Sequence, residues 1–201
     1  MKIDTKKLAE DITRNFRLID QTDIPNISLY MDQVTTFMEE HLSYSRRHAD
    51  DKILTKTMIN NYAKNDLLPP PDKKRYSKEH VIVLTFIYYF KSILSITDIK
   101  TILTEVTDKY FAKSGNVDIE KIYDEISNLQ EKDMSCVKED IDRKIALSSE
   151  AFADAPKNDR EFLQLFSLIC MLSFDVYIKK QMLESIVDEL SKKTVPGKKK
   201  K

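Results

Sequence analysis

The sequence predicts an all-α protein, and two observations support this prediction. Only two of the 201 residues are glycine, far fewer than the roughly 7% usual in proteins. Tight β-turns and dinucleotide-binding loops depend on glycine, so β-rich and Rossmann-type folds are disfavoured. Apolar residues also recur every three or four positions along most of the chain, which is the period of an amphipathic helix.

Three helices are predicted before residue 66. Residues 2–19 carry a weak helical stripe, and Ser28 is the predicted N-cap of a second helix whose apolar face includes Val34 and Leu42. Thr55 is the predicted cap of a short third helix. Asn65 and Asp66 can end that helix because both residue types tolerate left-handed backbone.

Two more helices follow a stiff connection. Pro69–Pro71 cannot be helical and hold the chain extended. Ser77 is the predicted cap of a helix that runs to about Leu94 and is apolar nearly all round, so we expect it to be central. Ser95, with an acid three residues on, predicts a capping box and a further helix.

The C-terminal half predicts a helical hairpin or bundle. An apolar seam runs from Ile119 to Leu129, slips, and resumes from Met134 to Ile145, so a coiled coil and hairpin packing both remain open. Pro156 interrupts the pattern before a last long helix. The predicted organisation is an N-terminal helical extension (1–27), a helix-turn-helix domain (28–112), a helical C-terminal region for dimerisation or effector binding (117–191) and a disordered basic tail (192–201).

The most apolar stretch is Phe162–Ile178. Gln164 and Asp175 interrupt it, and its 17 residues barely reach membrane-spanning length, so a buried core helix is predicted and no membrane association is expected. A dimer interface or a pocket for a small apolar effector is the alternative. The N-terminus lacks the apolar segment of a signal peptide, and a cytoplasmic location is expected.

Catalytic and metal-binding patterns are not found. Cys136 and Cys170 form no CxxC motif and are predicted to be small core residues in a reducing compartment. His41, His48 and His80 have no metal-ligand spacing, and two glycines cannot form a phosphate cradle. We therefore expect no enzyme activity, no metal and no cofactor.

The net charge of zero conceals two segments of opposite sign. Lys52 to His80 contains seven basic and three acidic residues, whereas residues 116–161 contain seven basic and 13 acidic ones. A basic segment in a neutral chain indicates a module for a polyanion attached to a part that does not bind one.

The short helix from Leu54 to Asn65 has the composition of a DNA-reading helix. Its outer face carries short polar and basic side chains, and a basic run follows it. Asparagine can pair with adenine edges, while lysine and arginine contact guanine or phosphate. An ordinary solvated helix and charged turn are the alternative. The predicted DNA-binding residues are Lys56, Thr57, Asn60, Asn61, Lys64, Lys73, Lys74, Arg75 and Tyr76.

This order of parts resembles the winged helix-turn-helix of the MerR family. Residues 58–70 (MINNYAKNDLLPP) align with its recognition-helix signature, residues 74–77 (KRYS) with the end of its wing, and residues 94–99 (LSITDI) with a later helix start. The resemblance implies that Asn60 stands at a DNA-contacting arginine and Lys74 at a wing arginine. It also implies that Tyr62 and Tyr76 support the fold, and that the wing is short or degenerate.

Residues 29–106 are more closely similar to a family of uncharacterised bacterial proteins, domain of unknown function 1836, which brings no activity. The expected function is a sequence-specific, non-enzymatic regulator of transcription that binds double-stranded DNA. A homodimer is expected because one short helix contacts few base pairs. The alternative is an all-α protein-interaction adaptor that keeps the scaffold without DNA binding, because Asn60 and Asn61 replace the arginine and tyrosine of the MerR signature.

Overall fold

The computed structural model describes residues 3–113 and 115–194. The chain is mostly helical, at 69%, which confirms the all-α prediction. The described residues form seven α-helices and one two-stranded antiparallel sheet. The elements are α1 (Thr5–Asn15), β1 (Leu29–Tyr30), α2 (Met31–Leu42), a 3₁₀ turn (Ser43–Ser45), α3 (Lys56–Lys64), β2 (Arg75–Tyr76), α4 (Lys78–Phe90), α5 (Ile96–Tyr110), α6 (Ile119–Glu150) and α7 (Lys157–Thr194).

The chain divides into two compact units. We call Leu18–Ser127 together with Leu183–Lys201 the core unit, and Met1–Arg17 together with Asn128–Met182 the hairpin unit. Both α6 and α7 cross this division as continuous helices. The boundaries predicted from the sequence at residues 27, 112 and 117 stay a prediction.

The core unit is built around α4. Every residue of α4 from His80 to Ile87 is buried, as expected for a helix that is apolar nearly all round. The cluster around it contains 25 buried residues contributed by every helix from α2 to α6. Within this cluster, the hydroxyl of Tyr123 donates to the carbonyl of Ile19 over 2.7 Å.

Helix starts in the core unit follow the local sequence at three of four predicted caps, and Ser77 forms a capping box with His80 at the start of α4. Thr55 caps α3 by accepting from the N–H of Met58 over 3.2 Å, and Ser95 forms the predicted capping box with Asp98. The prediction that Ser28 caps the second helix is wrong. The chain first pairs as β1, and α2 begins only at Met31, because ladder hydrogen bonds hold that segment extended.

The hairpin unit is two antiparallel helices with α1 against them. Lys144 of α6 pairs with Asp175 of α7 over 2.5 Å, and Gln164 reaches the carbonyl of Ser149 over 2.6 Å. The apolar seam slips between Leu129 and Met134, but the helix does not break there: α6 is continuous over 32 residues. Among the described residues of this unit, the buried apolar cluster is small and consists of Ala9, Ile145 and Leu168.

The prediction that Phe162–Ile178 is a buried core helix is wrong for the single chain. Phe162 and Phe174 are about two-thirds exposed, because one helix and a short α1 cover only part of α7. By length and composition alone, α7 is the one helix in the described part of the chain that could cross a membrane.

Two smaller predictions also need correction. Cys136 is exposed and Cys170 is half-buried, so neither is the core residue predicted, and both are free thiols. The predicted disordered tail overlaps α7, which continues to Thr194. The rest of that tail, residues 195–201, lies outside the described residues.

Candidate nucleic-acid interface

Helix α3 holds one polar face outward and anchors the other. Ile59 and Tyr62 are buried beneath it, and burial raises the pKa of the Tyr62 phenol. The outer side chains are all exposed, as predicted from the sequence. We call this set the α3 polar face: Lys56, Thr57, Asn60, Asn61 and Lys64.

The end of α3 directs the chain toward the proline segment. Asp66 has φ 56°, the left-handed conformation that ends helices, and the N–H of Leu67 donates back to the carbonyl of Tyr62 over 2.9 Å. Leu67 and Leu68 are then buried. These anchors fix where Pro69–Pro71 leaves the buried cluster, and the basic run follows at once.

The basic run forms a β-turn, Asp72–Arg75, with Lys73 and Lys74 at its two central positions, which we call the lysine turn. The N–H of Arg75 donates to the carbonyl of Asp72 over 2.8 Å. Lys73 has φ 47° and Lys74 has φ 66°, so both central residues have positive φ, as in a type I′ hairpin turn. Asparagine and glycine dominate such positions, and two adjacent lysines there are strained.

Strand β2 connects the lysine turn to β1 and to the buried cluster. Tyr30 pairs with Arg75 and Leu29 with Tyr76 in the antiparallel sheet. Tyr76 is only 3% exposed, and burial raises the pKa of its phenol. Its inclusion among the predicted DNA-binding residues is therefore corrected: it supports the turn from inside, beyond the reach of a ligand on the surface.

Two residues of the site went unnoticed in the sequence because they precede it by more than 20 positions. Asp32, in the first turn of α2, forms an ion pair with Lys56 at the start of α3. Tyr30 lies beneath the guanidinium of Arg75, 5.4 Å from its ring centre. The start of α2 therefore contacts both the α3 polar face and the lysine turn.

The exposed charges of this region are mixed, with basic groups in excess. Five exposed basic residues stand against three exposed acids, Asp32, Asp66 and Asp72. Asp32 holds Lys56, and Asp66 pairs with Lys100 over 3.0 Å. Within the described residues, no ion pair involves the other four basic side chains, which are Lys64, Lys73, Lys74 and Arg75. These four are the groups available to an anion.

Other chemistry is sparse in the part of the chain that the structure describes. No cluster of three histidine, cysteine or acidic side chains there could hold a metal ion. The one buried histidine, His80, has its pKa lowered because burial disfavours the charged ring. Its Nδ1 is engaged in capping α4.

The first segment of the core unit, Leu18–Ser127, coincides with a match to a known protein family. The family described as Domain of unknown function (DUF1836) matches residues 19–126, which include β1 to α5, the α3 polar face and the lysine turn. Comparisons with curated proteins and with solved structures returned no match.

Proposed function

The chain belongs to the DUF1836 family, and from its basic surface we propose that it binds double-stranded DNA as a non-enzymatic regulator of transcription. In this proposal the core unit is a MerR-like winged helix-turn-helix. Helix α3 enters the major groove, and the lysine turn is a minimal wing that contacts phosphates. The hairpin unit takes no part in contacting DNA.

The strained lysine turn is the observation that carries this proposal. A left-handed conformation costs about 1–2 kcal/mol for each ordinary residue, and two adjacent positions here carry lysine. Backbone strain that is kept against this cost is typical of functional sites. The turn presents two ammonium groups beside Arg75, and three adjacent cations suit a phosphate backbone.

The α3 polar face supports the reading role. A helix that reads base edges needs short polar side chains outside and an apolar anchor inside, and α3 has both. Asn60, Asn61 and Thr57 are the base-reading residues in this proposal. Lys64 and the lysine turn hold phosphates, which set affinity but carry no sequence information.

One observation favours a second candidate, the protein-interaction adaptor. Asp32 neutralises Lys56 at the start of α3, and Asp72 lies beside the two lysines of the turn. Acids within a DNA-facing surface oppose phosphate. An adaptor that uses the same surface for a protein partner tolerates them, and it shows no salt-dependent affinity for DNA.

A fluorescence-anisotropy titration across a salt series tests the proposal. The probes are duplexes selected by the protein from a random DNA pool. Changing Lys73, Lys74 and Arg75 to alanine is expected to reduce the slope of log K against log salt by about 2–3, at roughly 0.9 for each phosphate that the variant no longer neutralises. The matched control changes three exposed lysines of the hairpin unit, Lys6, Lys7 and Lys132.

The two candidates give opposite results. If the protein binds DNA as proposed, the lysine-turn variant loses more affinity than the control, and its slope of log K against log salt falls more. If the two variants bind equally well with equal slopes, or if the selection yields no enriched sequence, the DNA-binding proposal is wrong and the adaptor stands.

A further inference from the structure

The hairpin unit has too little core for its size. Within its described residues, the buried apolar cluster is Ala9, Ile145 and Leu168, whereas the cluster of the core unit has 25 members. Small helical units become stable only when they bury enough apolar surface to offset the entropy of ordering the chain. The missing surface must come from another molecule or another segment.

Helix α7 presents a regular exposed stripe, apolar at four of its five positions, that another molecule would cover. Phe162, Phe166, Ile169, Ser173 and Val176 follow one another at intervals of four, three, four and three residues, which is the heptad spacing of a coiled-coil seam. All five are exposed. The side that contacts α6 is a different one, because Leu168 lies about 100° round the helix from Ile169.

No charge interrupts this stripe. The one charged residue between Phe162 and Ile178 is Asp175, and it is turned toward α6, where it pairs with the buried Lys144 over 2.5 Å. The stripe is therefore neutral along its length. Two identical copies can meet without like charges facing each other, so the surface is self-complementary, as a two-fold interface requires.

The exposed area is of the size that a stable dimer needs. Phe162 and Phe166 in the stripe, and Tyr177 at its edge, are between 51% and 66% exposed, so each ring offers about 100–130 Å² of the 150–250 Å² that such rings bury. With Ile169 and Val176 the total is roughly 500 Å² per copy. That is near the upper end of the ~300–600 Å² of the largest apolar patch on a typical monomer, and two copies together would bury about 1,000 Å², the size at which a specific interface begins.

We propose that the stripe from Phe162 to Val176 packs against the same stripe of a second copy, so that two hairpin units form one four-helix bundle. A membrane is the poorer occupant. Helix α6 lies along α7 and carries ion pairs on its surface, such as Arg143 with Asp140 and Lys138 with Asp142. A bilayer that took up α7 would have to take up these charges as well.

The position of Ile169 makes the proposal directly testable. It is the midpoint of the stripe, so it faces the same residue of the second copy in a parallel pair and in a centred antiparallel pair alike. Ile169→Glu and Ile169→Lys each place like charges at that contact. Mixed together, the two variants place opposite charges there.

Light scattering coupled to size-exclusion chromatography gives the readout on the full chain. The wild type is expected at twice the 23.5 kDa chain mass, each Ile169 variant at the single-chain mass, and the mixture again at twice that mass. Ser135→Glu, at an exposed position of α6, is the control and should remain dimeric. Rescue by mixing also excludes simple misfolding of either variant.

Four results would overturn the proposal. They are a monomeric wild type across the concentration series, dimers that survive both Ile169 substitutions, a mixture that stays monomeric, and flotation of the wild type with phosphatidylcholine–phosphatidylglycerol vesicles in place of dimerisation. None of these readouts involves DNA, so failure of the dimer proposal can be distinguished from failure of the proposed function.

Discussion

The backbone N–H of Ser77 donates to Nδ1 of His80 over 3.0 Å, and this bond joins the end of β2 to the first turn of α4. Because Nδ1 accepts, the ring proton lies on Nε2 and the ring is neutral. The same ring makes edge-on contacts with Tyr76, at 5.5 Å between centres, and with Phe111, at 4.8 Å. His80 therefore caps a helix and supports the strand that carries the lysine turn.

This arrangement predicts a pH dependence of folding. Burial lowers the pKa of His80 below its ordinary value of 6.5, so the folded state resists a proton that the unfolded state accepts. The contribution of the neutral ring to stability is fully present above pH 6.5 and is lost as the pH falls through the folded pKa. We expect the free energy of unfolding to drop by up to about 1.4 kcal/mol per pH unit in that window.

Urea unfolding between pH 7.5 and 5.5 checks this prediction. His80→Gln can still accept from the Ser77 N–H but cannot titrate. Its free energy of unfolding should be lower than that of the wild type, because the buried ring is lost, and should change less with pH over this range. The exposed His48→Gln variant should keep the wild-type slope. An equal slope in the His80 variant would assign the pH dependence to other groups.

Relieving the strain in the lysine turn should separate stability from binding. Lys73→Asn combined with Lys74→Gly suits a type I′ turn, and we expect the free energy of unfolding to rise by about 1 kcal/mol, since the entropy of glycine offsets part of the relief. DNA affinity should fall, with the salt slope reduced by about 2. The control, Lys73→Arg with Lys74→Arg, keeps both charges and the strain. A double Asn–Gly variant that is less stable than wild type would refute the assignment of strain.

Removing the acid at the start of α2 should strengthen DNA binding. Asp32→Asn deletes a negative charge and releases Lys56, so we expect affinity to rise a few-fold at low salt. Stability should change by less than about 1 kcal/mol, because the pair is exposed. Anisotropy titrations compare it with Asp124→Asn, an exposed acid of α6 that lies outside this surface. Unchanged or weaker binding would mean that the start of α3 does not face DNA.

Tyr76 and Asn60 should behave oppositely on substitution. Tyr76→Phe keeps the buried ring against His80, so affinity should stay within about twofold of wild type, whereas Tyr76→Ala should cost about 3–5 kcal/mol of stability. Asn60→Ala should leave folding intact and reduce discrimination between matched and mismatched duplexes by about 1–3 kcal/mol. Competition titrations with single-base variants of the selected site measure this difference. Weaker DNA binding by Tyr76→Phe would place that phenol at the DNA interface after all.

Helical periodicity and capping chemistry were sufficient to predict much of the core unit. Thr55, Ser95 and the buried run of α4 depend on interactions within a few residues along the chain, which is why local patterns reveal them. The left-handed turn at Asp66 was predictable for the same reason. Ser28 was a wrong prediction because strand pairing with residues more than 45 positions later competes with a local cap.

By itself, the sequence determined that the protein is helical, where most helices begin, and that a basic segment follows a short polar helix. Only the tertiary structure decided that Lys73 and Lys74 lie in a left-handed turn, since no glycine or asparagine marks it and the partner strand comes from before α2. It also decided that Tyr76 is internal and that Asp32 reaches Lys56. For α7, hydropathy shows how apolar the helix is, but burial depends on which surfaces meet it, and the fold leaves its heptad stripe exposed.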